Sequence, residues 1–100
     1  MSWVSEARDA LLRGERVQVR PHGGSMRGRI ESGELVTLVP VRPGEIAVDD
    51  VVFVRWKGNY LLHLVRERAD GRVLIGNALG KVNGWVSEGD VLGKVVAVEP

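Results

Sequence analysis

The sequence predicts a mostly β domain, a coiled sheet or partly open barrel, preceded by one short helix. Three observations carry this. Apolar residues recur at helical spacing only over the first thirteen positions, and from Arg16 onward they alternate with a period near two. Glycine pairs typical of tight turns, Gly58-Asn59, Asp70-Gly71 and Asn83-Gly84, fall between the alternating runs. The 100 residues fit one domain, 1–100, with room for a core that needs no staples.

The helix is expected over residues 2–13. Val4, Ala7 and Leu11 share one face with Trp3 and Ala10 beside them, Ser2 suits the N-cap, and Gly14 suits the stop. A β module, 16–98, follows. "RVQVR" (16–20) alternates, and "ELVTLV" (34–39) reads as a strand ended by Pro40 and Pro43-Gly44. "VVFVRWK" (51–57) and "YLLHLVR" (60–66) read as a hairpin around Gly58-Asn59, which pairs Trp56 with Leu61 and Val54 with His63. Side chains alternate across a strand, so Val52, Val54, Trp56, Leu61, His63 and Val65 share one face. Phe53, Arg55, Lys57, Tyr60, Leu62 and Leu64 take the other. "RVLIG" (72–76) and "VLGKVVAV" (91–98) complete the set. The last run carries one charge, Lys94, and an uncovered edge of that kind invites a second copy to pair, giving a homodimer.

Composition excludes several classes. With no cysteine there is no disulfide or thiolate metal site, and neither metal nor cofactor is expected. A net charge of +1 and five aromatic residues (three Trp, one Tyr, one Phe) argue against a nucleic-acid partner. No apolar run approaches the ~18 residues of a membrane span. The first fifteen residues carry Glu6 and Asp9 and have no apolar core, unlike a secretory signal, so the expected location is cytoplasmic.

Two residues stand apart. Ser25 follows Gly23-Gly24 and precedes Met26, as an ordinary turn residue would, and as a nucleophile on a sharp bend would. His63 is the one titratable group on an apolar strip. A satisfied core histidine fits that pattern, and so does a general base, because burial disfavours the charged ring and a base must be neutral. A serine needs such a base to become a nucleophile. His22, on the same loop as Ser25, reads as a rim residue, and Lys57 and Lys81 would serve as bases only if buried.

The segment "GGSMRGRIESGELVTLVPV" resembles the nucleophile segment of the serine peptidases that unite LexA-type repressors with type I signal peptidases. Ser25, Met26 and Ile30 match its serine-methionine pattern, followed by Gly33-Glu34 and an apolar strand. "VRPGEIAVDDVVFVRWKGNYLLHLV" is similar to the strands that end on the general base. His63 stands in that slot, as in the histidine-type signal peptidases. "VLIGNALGKVNGWVSEGDVLGKVVAV" resembles the closing segment. The resemblance spans roughly residues 17–98 and implies the LexA–signal peptidase fold. It also implies that Ser25 is the nucleophile and His63 its base, that Gly23 and Gly24 permit a tight turn whose amides face an oxyanion, and that Met26 is a buried anchor.

Gly28 stands where the family usually has proline, and Gly23 where many signal peptidases have an oxyanion-binding serine. The supporting acid of the histidine-type members is replaced by candidates Asn77 and Asn83. Only 24 residues precede Ser25, so self-cleavage is not expected, and a peptide or protein substrate in trans is. The alternative is a non-catalytic peptide- or subunit-binding module on the same fold.

Overall fold

The computed structural model describes residues 2–24 and 26–100. Helix α1 spans Trp3–Leu12, and the strands are β1 (Val17–Val19), β2 (Leu35–Pro40), β3 (Val51–Trp56), β4 (Asn59–Ala69), β5 (Arg72–Gly76), β6 (Val82–Ser87) and β7 (Val91–Glu99). They form one antiparallel sheet in the order β1-β2-β7-β3-β4-β5-β6. The sheet is open, with β1 and β6 at its ends, so of the two expected forms the structure takes the open sheet.

The helix begins and ends as its sequence dictates. The Ser2 side chain accepts from the Ser5 N–H at the N-cap. At the other end Gly14 has φ +77°, its N–H donates to Leu11 and that of Glu15 to Ala10. These are the paired bonds that close a helix on a left-handed glycine. Ala7, Ala10 and Leu11 are buried against the sheet. Gly93 on β7 permits this approach, since a Cβ there would stand 2.8 Å from Leu11 Cδ2 and 2.7 Å from the Val39 carbonyl oxygen.

The sheet is apolar on both faces. One face, under α1, gathers Ala7, Leu11, Met26, Ile30, Val36, Leu38, Phe53, Leu62 and Leu64. The other gathers Ile46, Val52, Val54, Val65, Val73, Ile75, Val86 and Val91, with Trp56 and Leu61 packed on it. The face assignment made for the β3–β4 hairpin therefore holds, but its turn is corrected. The two-residue loop is Lys57-Gly58, and the ladder pairs Trp56 with Asn59, Val54 with Leu61 and Val52 with His63. Both loop residues have positive φ, +50° and +81°. A turn of this kind accepts a polar residue first and glycine second, as Asp70-Gly71 does in the next hairpin (φ +46° and +77°). The correction moves each pair by one residue on both strands, which leaves the parity of the faces intact.

Two further expectations change. Asn83-Gly84 is no turn: it lies within β6, where the pairing with β5 is shifted by a bulge. The C-terminal strand is not an edge along its whole length. β7 lies between β2 and β3 up to Lys94, and from Val95 to Glu99 it pairs with β2 alone among the described residues.

Candidate functional site

Loop 20–34 joins β1 to β2 and is tied at its neck. The Gly33 N–H donates to the Pro21 carbonyl (2.9 Å), Gly23 N–H to Ser32 Oγ (3.3 Å), and Arg20 to the Gly33 carbonyl (2.9 Å). His22 Nδ1 shares a longer contact with the same Ser32 hydroxyl, 3.4 Å. Beyond the neck, Met26 turns inward, 5% exposed, and Ile30 with it, 4% exposed. The amides of Arg29 and Ile30 both donate to the Met26 carbonyl, and the Gly28 N–H donates to Glu31 Oε2 at 2.7 Å.

Ser25 lies outside the described residues. Its chain neighbours do not. Gly23 has φ +127° and Gly28 has φ +94°, a region that non-glycine residues rarely adopt. A serine at Gly23 would be strained in this conformation, and a proline ring, fixed near −65°, is excluded at Gly28. The turn that carries Met26 is thus held by glycine conformations and Glu31 instead of by proline.

Next to this loop is a cavity of about 190 Å³, lined by Gly23, Met26 and Ile30 on one side and by Tyr60, Leu61 and Leu62 on the other. Three consecutive residues of a strand alternate faces, so what borders the cavity is the edge of β4 itself. That edge is open. β5 pairs with β4 only from Leu64 onward, and Asn59–His63 pair with β3 alone among the described residues.

His63 is the residue that follows this wall, and it is 8% exposed. By alternation it shares the face of Leu61 and Val65, opposite Leu62. Its Nδ1 sits against the Leu62 carbonyl oxygen. A carbonyl only accepts, so a hydrogen bond here places a ring proton on Nδ1, with Nε2 the nitrogen turned away from it. Asn77 Oδ1 accepts from the amides of Leu79 and Lys81, both at 2.9 Å, and so closes the β5–β6 loop. Asn83 Oδ1 is buried and has no hydrogen-bond partner among the described residues. His22 is exposed on the rim, as expected, and Lys57 and Lys81 are exposed.

Sequence reasoning missed Trp3, Tyr60, Leu62 and Ser32 as cleft residues. Trp3 and Tyr60 carried a usable signal, being aromatics beside an apolar face. Ser32 carried none, because its role depends on the closure of the loop neck. Among the described residues no cluster of three or more His, Asp or Glu side chains could hold a metal, and no helix is long and apolar enough to cross a membrane.

The class of protein defined so far is an open antiparallel sheet with one covering helix and a cleft between a glycine-rich loop and an unpaired strand edge. No protein-family model matches the chain, and no curated protein matches it.

Proposed function

We propose that the chain is a serine peptidase-like protein of the LexA–signal peptidase kind, which binds an extended peptide in trans along the open edge of β4 and cleaves it with Ser25 and His63. The observation that carries this is the cleft. One wall holds Gly23 and Met26, the residues flanking Gly24-Ser25, and the other is Tyr60–Leu62, the strand residues that immediately precede His63. A peptide laid on Asn59–His63 would meet a strand edge with no ladder partner on that side among the described residues, the usual way an extended segment adds to a sheet.

In this reading the Ser25 hydroxyl attacks the scissile carbonyl carbon while its proton passes to His63 Nε2. Amides of the glycine loop face the oxyanion. As the C–N bond breaks, the imidazolium returns the proton to the leaving amine, and an acyl-serine remains. Water then attacks the ester, its proton goes to His63, and the acid is released as the proton returns to Ser25. The Leu62 carbonyl takes the orienting role that an acid has in related sites, since it fixes which ring nitrogen is free.

The second reading, a peptide-binding module without chemistry, is favoured by one observation: the open edge binds peptide by its backbone whether or not Ser25 reacts. A fluorophosphonate probe separates the two. Labelling of the wild type, absent in Ser25→Ala and His63→Ala, supports the dyad. Equal labelling of the wild type and Ser25→Ala, or no labelling of the folded wild type, overturns the peptidase reading.

A further inference from the structure

We infer that the cavity beside β4 receives one apolar side chain of leucine to phenylalanine size from the bound peptide, and that Trp3 of α1 sets this size limit. The inference rests on the peptide-cleft part of the proposed function and is independent of the chemistry.

Size comes first. The cavity holds about 190 Å³, while an apolar cavity of about 150 Å³ suffices for benzene. An alanine methyl would leave most of it empty, and an isobutyl group or a phenyl ring fills it. The lining agrees. Trp3, Met26, Ile30, Tyr60 and Leu62 supply apolar walls, and Met26, Ile30 and Leu62 are buried. Two of the polar groups at the rim are already engaged, Ser32 Oγ with Gly23 and His22, and Glu31 Oε2 with Gly28.

The walls are also braced. Phe53 stacks on Tyr60 with ring centroids 5.5 Å apart and an interplanar angle of 6°, and it meets Trp3 edge-on at 6.0 Å. One buried ring thus positions both aromatic walls before any ligand arrives, so the ordering cost on binding is small. Trp3 stands in the first turn of a helix whose Ala7 and Leu11 are anchored in the core. The pocket's width is therefore fixed by the docking of α1.

The test uses ¹⁵N-labelled Ser25→Ala protein, which cannot cleave through Ser25. It is titrated with blocked pentapeptides identical except for one central residue: Ala, Leu, Phe or Lys. Leu and Phe peptides are expected to bind on the order of 10- to 100-fold tighter than Ala, moving the amides of Tyr60–His63 and the Trp3 indole. Trp3→Phe keeps a ring against Phe53 and shortens the wall, so the ratio of Phe- to Leu-peptide affinity should rise about threefold or more. Equal binding of all four peptides, no binding, preference for Lys, shifts confined to other parts of the sheet, or an unmoved ratio in the folded Trp3→Phe protein would overturn the inference. Size-selective binding without fluorophosphonate labelling of the wild type would leave the pocket standing and remove the chemistry. Labelling without size selection would do the opposite.

Discussion

The ring of Trp56 lies on Gly84, so close that a Cβ added at Gly84 would stand 2.8 Å from Trp56 Cη2. The contact joins β3 to the edge strand β6 across β4 and β5, on the face opposite α1. It explains why a glycine occupies the middle of an edge strand, where it would otherwise weaken pairing. Gly84→Ala should therefore destabilise the fold by about 1–3 kcal/mol through overpacking. Urea unfolding followed by Trp fluorescence measures it. A neutral or stabilising Gly84→Ala would mean that the ring does not rest there. In the Trp56→Leu background the overpacking part of that cost should go, leaving only what the φ of +157° at Gly84 imposes on a side chain.

Gly28 supplies a second test. Its φ of +94° and its N–H bond to Glu31 Oε2 are both incompatible with proline. Gly28→Pro should cost about 2–4 kcal/mol, from the lost hydrogen bond and the forced backbone. Gly28→Ala keeps the N–H and should cost only about 1–2 kcal/mol. Equal midpoints for wild type and Gly28→Pro in denaturant would show that the turn after Met26 has another conformation.

The fold was legible wherever local pattern and tertiary environment agree. The helix and its caps, the β period and the faces of the β3–β4 hairpin follow from alternation alone, because both faces of the sheet are buried and parity decides everything. What failed was turn chemistry. Lys57-Gly58 looked less like a turn than Gly58-Asn59 because lysine rarely adopts positive φ, and the hairpin places it there. Asn83-Gly84 resembles a hairpin turn, but the glycine is required by Trp56, a residue 28 positions away. The cleft was half legible. Gly23 and Met26 stand out in the sequence and do line it, whereas the open edge of β4 depends on where β5 stops pairing, which no local signal encodes.

Met26 tests the anchor of the loop. It is 5% exposed and packs in the cluster that contains Phe53 and Leu62. Met26→Ala removes a long apolar side chain from that cluster and should cost roughly 2–5 kcal/mol. Met26→Leu, close in volume, should cost less than about 1.5 kcal/mol. Thermal unfolding of both variants checks the pair. Similar melting temperatures for Met26→Ala and the wild type would mean that the loop is not pinned through this side chain.

The last prediction concerns β7. Val95, Ala97, Val98 and Glu99 pair with β2, Val96 sits in a bulge of that ladder, and none of the five pairs on the other side among the described residues. A groove of about 290 Å³ runs along the free side, bounded by Arg29 and Asp49–Val51. Val96 and Val98 are 51% and 38% exposed there, and no charge guards the strand between Lys94 and Glu99. Free backbone groups beside exposed valines favour pairing with an identical strand. A two-fold antiparallel match centred near Ala97 would bring the exposed Val96 and Val98 of the two copies together, with the small alanine near the axis. The chain is therefore expected to form a concentration-dependent dimer in sedimentation velocity. Val96→Lys places like charges beside the axis and should shift the midpoint of association upward at least tenfold. It should leave melting of the monomer nearly unchanged, because Val96 contributes little to either core cluster. Lys substitution at Val82, on the exposed end of β6, is the control and should leave association unaltered. A wild-type chain that stays monomeric from micromolar to near-millimolar concentration would remove this interface. A dimer weakened by the Val82 change and indifferent to the Val96 change would move it to β6.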